Sequence, residues 1–206
     1  MLKAKNGQQM LPVFSHKESF LGLNDDKFTE SEKKTSAYFK LAFLLYLTYF
    51  TFVLITQKLE TIDAFIHNID LPIHEFGHVF FGFLSDGVLM YMGGNLFQFL
   101  FPCILSGSFF FRKDYFGMFV CSLWAGETLI DASYYISDAS TRALPLITGD
   151  PDTHDWFNVF LELGLLRYDT IIGKMVFIIG AALMITSLLL SYYIVNKDGK
   201  FIEVKK

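Results

Sequence analysis

Inside an apolar stretch, Leu71–Leu84, the sequence places His74, Glu75 and His78. On a helix, residues four apart stack on one face about one turn from each other. His74 and His78 can therefore offer two imidazole nitrogens to one ion. Glu75 lies about 100° round the helix from His74, beside such an ion rather than on it. Two histidines as zinc ligands and the glutamate as general base on water is the division of labour in zinc hydrolases. One zinc ion is the expected cofactor, and Glu75 the expected catalytic base. The plain alternative is a pair of packing histidines with a solvated glutamate. The surrounding Leu, Ile, Phe and Val argue against it, because ionisable groups in so apolar a setting are costly and usually mark a site.

A hydrolytic zinc site needs a third protein ligand and one open position. Two candidates stand out, and the sequence leaves the choice open. Along Tyr115–Ile136, Glu127, Asp131, Tyr134 or Tyr135, and then Asp138 follow helical steps on one face, which makes Asp131 a candidate. His154, in Asp150-Pro151-Asp152-Thr153-His154-Asp155-Trp156, is the other, with flanking acids to orient its second nitrogen. Asn95 and Gln98, one turn apart, suit either a substrate backbone or a bond between helices. Gly77 and Gly82 thin one side of the histidine helix, for a neighbouring helix or a substrate strand. His16 and His67 read as surface residues, and Cys103 and Cys121 as small core residues.

These groups need elements to hold them. Of 206 residues, 52% are hydrophobic and 24 are Phe, more apolar surface than a soluble domain of this size can hide. A membrane span takes about twenty apolar residues. Ser36–Gln57, Asn95–Phe111, Tyr115–Ile136 and Thr170–Val195 have the length and character of spans. The histidine element is shorter and is followed by Ser85-Asp86-Gly87 and then Gly93-Gly94, so it is either re-entrant or a broken helix. Trp156–Leu166 reads as a short amphipathic helix. The expected fold is an all-α polytopic membrane bundle of about four full spans plus a short His-Glu-x-x-His helix. Residues 1–36 form a polar arm, with a short amphipathic helix near Phe14–Leu23. Residues 37–195 form one membrane-embedded hydrolase domain, and residues 196–206 a basic cytoplasmic tail.

Basic clusters lie in the arm, at Arg112-Lys113 and in the tail, whereas Glu60–Asp70 and Asp138–Asp169 lean acidic. A re-entrant histidine element puts all three basic clusters on the cytoplasmic side. The net charge of -4 gives no sign of a nucleic-acid partner.

Leu71–Gly82, with its histidine motif at the edge of a membrane helix, resembles the site-two protease family of intramembrane zinc peptidases. That resemblance implies zinc on the two histidines, Glu75 as general base, and cleavage of a peptide bond in or beside the bilayer. The family usually takes its third ligand from an Asp in a later membrane helix near an Asn-Pro-Asp-Gly type signature, which this chain lacks. A longer pattern runs from Gly93-Gly94-Asn95 and Gln98 through Trp124, Glu127 and Asp131 to His154-Asp155-Trp156. It resembles bacterial multi-pass proteins identified as peptidase-like by the same motif, and through them implies a role for His154. The expected partners are membrane lipids and a membrane-protein or peptide substrate, in a bacterial inner membrane. Hydrolysis of a lipid amide or ester, or metal binding without catalysis, are the alternatives.

Overall fold

The computed structural model describes residues 30–56 and 65–199. The expected helix near Phe14–Leu23, His16 and the end of the basic tail lie outside them. The described elements are helices joined by turns: α1 (Glu30–Thr56), α2 (Phe65–Gly82), α3 (Val88–Phe111), α4 (Tyr115–Ser137), α5 (Asp155–Leu163) and α6 (Asp169–Gly199). Among the described residues three segments are long and apolar enough to cross a membrane, Lys34–Thr56, Val88–Phe111 and Leu166–Lys197.

The burial pattern suits a membrane more than water. Phe39, Tyr49, Phe83, Ile178 and Leu189 are exposed, whereas Asp70, Gln98, Glu127 and His154 are buried. Apolar side chains thus cover the outside and polar groups converge inside, as expected where the surroundings cannot hydrate a charge.

Without a hydrophobic drive between helices, close association rests on small residues that bring backbones together. Three such contacts build the frame. A Cβ on Gly180 would lie 2.7 Å from the Gly126 carbonyl oxygen, and one on Gly173 would lie 2.7 Å from that of Ser133. The pairing 126 with 180 and 133 with 173 makes α4 and α6 antiparallel. A Cβ on Gly77 would likewise meet the Gly93 carbonyl oxygen at 2.3 Å, which clamps α2 on α3. Gly77 therefore serves a neighbouring helix, α3. Gly82 meets only the Met90 side chain, at 3.5 Å. The Gly93-Gly94 pair is no helix break: α3 runs through it from Val88, and the break lies at Ser85-Asp86-Gly87, where Gly87 takes φ 78°.

α3 turns into α4 at Arg112-Lys113-Asp114. Lys113 adopts φ 60° there, and the Asp114 carboxylate caps α4 by accepting the Gly117 N–H at 3.0 Å. Lys40 of α1 lies over the Phe116 ring at the start of α4, and Thr48 meets the Tyr192 hydroxyl of α6 at 3.1 Å. The start of α1, the basic α3–α4 turn and the end of α6 therefore share one end of the bundle. The C-terminal ends of α2 and α4, the starts of α3 and α6, and α5 gather at the other.

Candidate metal centre

His74 and His78 stand one turn apart on α2, and the two Nε2 atoms are 3.1 Å from each other. The third group brought to them is Asp155, the first residue of α5. Its Oδ2 lies 3.4 Å from His74 Nε2 and 3.2 Å from His78 Nε2. Among the described residues this is the group of three potential metal ligands that converges on one point. Ligands about 2.0–2.1 Å from a tetrahedral zinc ion lie roughly 3.3–3.4 Å apart. The triangle formed here has nearly those edges, so it fits one face of such a tetrahedron and leaves the fourth corner open.

The hydrogen bonds behind the ligands fit the same ion. His78 Nδ1 donates to the Met90 carbonyl oxygen at 2.8 Å, and His74 Nδ1 lies 3.2 Å from Gln98 Oε1. An imidazole with Nδ1–H engaged presents the Nε2 lone pair, which is the tautomer a metal requires. Both Nε2 atoms point at Asp155. Gln98 is itself held, because its Nε2 donates to Asp131 Oδ2 at 3.0 Å. Asn95 donates to Gln98 Oε1 at 3.2 Å and accepts from the Trp156 indole at 2.7 Å. The two amides therefore tie α3 to α2, α4 and α5. The Tyr135 hydroxyl, from the last turns of α4, donates to Asp155 Oδ2 at 3.2 Å and accepts the Asp155 backbone N–H at 3.0 Å. Burial pushes the Asp155 carboxyl up, but hydrogen bonds from a proton held on the His74 and His78 Nε2 side, the place an ion would take, outweigh that and hold it below the usual range. Asp155 is thus the anion that a metal site needs.

The two residues expected as the third ligand stand elsewhere. His154 is fully buried, yet its ring turns away from the histidine pair. Its Nδ1 accepts the Phe157 N–H at 3.2 Å, capping α5, and its Nε2 faces Asp138 Oδ2 at 3.4 Å. Burial lowers its pKa, partly offset by Asp138, so the ring is neutral and packs 4.2 Å from Tyr135. The physical reason is local. Successive side chains at a helix start point about 100° apart, so when residue 154 caps inward, residue 155 crosses to α2. Asp131 sits one amide away, bound to Gln98 and 3.6 Å from His67. His67 has a largely exposed side chain, as expected, and Cys103 and Cys121 are unpaired.

Asp138 has a separate task. It accepts the backbone N–H groups of Ala143 and Leu144 at 3.0 and 2.9 Å. Burial raises its pKa, but bonds from Thr141, Leu144 and Ala143 outweigh this and keep it ionised. It thereby shapes the turn that leads into Leu144–Thr148. That segment walls a cavity of about 780 Å³ which also contains His74, Glu75, His78, Gln98, Glu127, Asp131 and Asp155. Glu75 is exposed and faces this space without belonging to the ligand group.

Comparison with protein-family models, with curated proteins and with solved structures finds no match.

Two substitutions probe the centre. A Cβ on Gly94 would lie 2.4 Å from His74 Nε2, so Gly94→Ala must drive the imidazole off its position. Zinc affinity is expected to fall by about tenfold to a hundredfold, as for lost ligand orientation. Gly107→Ala on the same helix meets nothing within 4 Å and should bind as the parent does. Equal zinc affinity in both variants would rule out this placement of His74. Gln98→Leu removes the acceptor that fixes the His74 tautomer. A loss of the same order, about 10–100-fold, is expected in zinc titration against a chelator, and unchanged affinity would remove Gln98 from the centre.

Proposed function

We propose that the chain is a polytopic membrane hydrolase that binds one zinc ion through His74, His78 and Asp155, and that it cleaves a peptide bond in or near the bilayer. The observation that carries this reading is the convergence of three ligand atoms, two of them on imidazoles whose Nδ1 faces a carbonyl oxygen, beside a glutamate that faces the same cavity. A structural zinc site would close its fourth position with a protein ligand. Here no fourth described ligand joins the three, and they line one cavity together with Glu75.

When bound, zinc supplies Lewis acidity, making water nucleophilic near neutral pH and polarising a carbonyl. The chain does the rest. Glu75 takes a proton from the attacking water and returns it to the leaving amine. Gln98 and the Met90 carbonyl hold the imidazoles, and Tyr135 holds Asp155. Leu144–Thr148 lines the cavity as a non-helical segment, the kind of backbone beside which an extended peptide can lie. Apolar lining from Leu54, Leu71 and Ile147 also favours a second reading, hydrolysis of a lipid amide or ester.

In the membrane, α4 is read as a fourth span, with Glu127 and Asp131 facing inward. α2, about 27 Å long at 1.5 Å per residue, is read as a re-entrant or partial crossing that ends at Ser85-Asp86-Gly87. The shared end of α1, the Arg112-Lys113 turn and α6 supports a cytoplasmic location for all three basic clusters. This gives a multi-pass protein of a bacterial inner membrane, consistent with the resemblance of Leu71–Gly82 to site-two proteases.

The test is zinc content per chain of detergent-purified protein, together with hydrolysis of fluorogenic peptides and of lipid amides and esters in nanodiscs. About one zinc per chain and zinc-dependent peptide cleavage are expected. Turnover of lipids alone would select the second reading. A well-folded protein that takes up no zinc would end both.

A further inference from the structure

Beyond the metal ligands, the cavity runs into a second group of acids. Glu127 is 3% exposed and Asp70 is 1% exposed. The two carboxyls hydrogen-bond each other, and Asp131 is close enough to act on both. Asp70 Oδ1 accepts the Trp124 indole N–H at 2.9 Å. Asp70 Oδ2 and Glu127 Oε2 are buried without a hydrogen-bond partner. Glu127, Asp131 and His67 line the same cavity as the histidine pair.

A charge tally separates this recess from the metal centre. Among the described residues, the cavity lining contains no Lys or Arg. A zinc ion with His74, His78 and Asp155 carries a net charge of about +1, and Glu75 balances it. Glu127, Asp131 and Asp70 then remain, with only the imidazole of His67 nearby. Unpaired buried carboxylates at membrane depth are strongly unfavourable unless a cation or a proton meets them. The recess also lies a short reach from the metal position, since Asp131 is bonded to the amide that holds His74.

We infer that the part of the cavity walled by Glu127 and Asp131, with Asp70 behind Glu127, is a substrate subsite for a cationic group, an amine or a guanidine, carried next to the scissile bond. The inference rests on the hydrolase reading and names its substrate class. The cation's N–H groups would donate the hydrogen bond that Glu127 Oε2 lacks, and the carboxylates would supply the opposite charge. An apolar group of the same size would leave them unsatisfied, so the subsite discriminates by the unpaired polar atoms that the wrong substrate leaves behind.

Two hydroxamates test this without needing a substrate: N-acetyl-leucyl-lysine hydroxamate and its norleucine counterpart, titrated against zinc-loaded full-length protein. The hydroxamate end seeks the metal in both, and only the lysine compound carries a charge into the recess. The lysine compound is expected to bind at least about tenfold tighter, the scale of one partly buried charge pair. Glu127→Gln should abolish that preference while leaving the norleucine affinity and the zinc content unchanged, which also shows that the variant is folded. Glu127→Ala offers the same readout should Glu127→Gln not fold. Equal affinities in the parent protein would overturn the inference and leave a carboxyl pair that holds only a shared proton. A second metal ion per chain, lost in Glu127→Gln, would overturn it in favour of an inorganic cation. If neither compound binds, the zinc reading itself fails.

Discussion

Asp155→Ala is expected to strip zinc from the protein as fully as His78→Ala does. Asp155 brings the carboxylate to within 3.4 and 3.2 Å of the two Nε2 atoms, and no other described acid joins that group. Without it the ion keeps two neutral imidazoles and loses its only anionic ligand. Affinity should therefore fall by more than the 10–100-fold typical of groups that merely orient ligands, that is, by over about 100-fold. Asp155→Asn should fall in between, because it keeps the shape and the Tyr135 contact but not the charge. His154→Ala provides the contrast. It empties a fully buried site and removes the cap of α5, which should cost stability by about 1–3 kcal/mol. The folded fraction should still bind about one zinc. Metal analysis of the three variants beside thermal unfolding checks this. Zinc retained by Asp155→Ala and lost from His154→Ala would restore His154 as the third ligand.

Glu75→Gln should keep the zinc and lose the reaction. The amide has the size of the carboxylate but cannot accept the proton of the attacking water. General-base contributions are typically about 10²–10⁴-fold, and a loss of that size is expected in initial rates on whichever substrate the parent protein cleaves. Glu75 faces the cavity from the turn that carries the histidines and is not one of the three ligands. Binding of metal should be close to that of the parent, in contrast to His74→Ala or Asp155→Ala. Full activity with bound zinc in Glu75→Gln would remove Glu75 from the chemistry and point to another base in the cavity.

The membrane character and the helical class were legible in composition and segment length, because a bilayer imposes both on any chain that crosses it. The helix of His74 and His78 was legible for a similar reason: a spacing of four is a statement about one helical face and needs no partner element. The inward stripe of Glu127, Asp131 and Tyr135 on α4 followed from the same periodicity. Local pattern ended there. Gly93-Gly94 has the look of a helix break, and only the packing of α3 against Gly77 and His74 explains why glycine sits inside a continuous helix. The roles of Asn95 and Gln98 were open until Trp156, His74 and Asp131 were seen around them. The third member of the candidate metal centre depended on the path of the loop that brings α5 back to α2. The sequence by itself determined which helix offers two imidazoles and a glutamate. The tertiary structure decided that Asp155, not His154 or Asp131, meets them. A side chain's direction at a helix start depends on the local cap, here His154 on the Phe157 N–H, and on contacts with distant residues, here Asp138 and Tyr135.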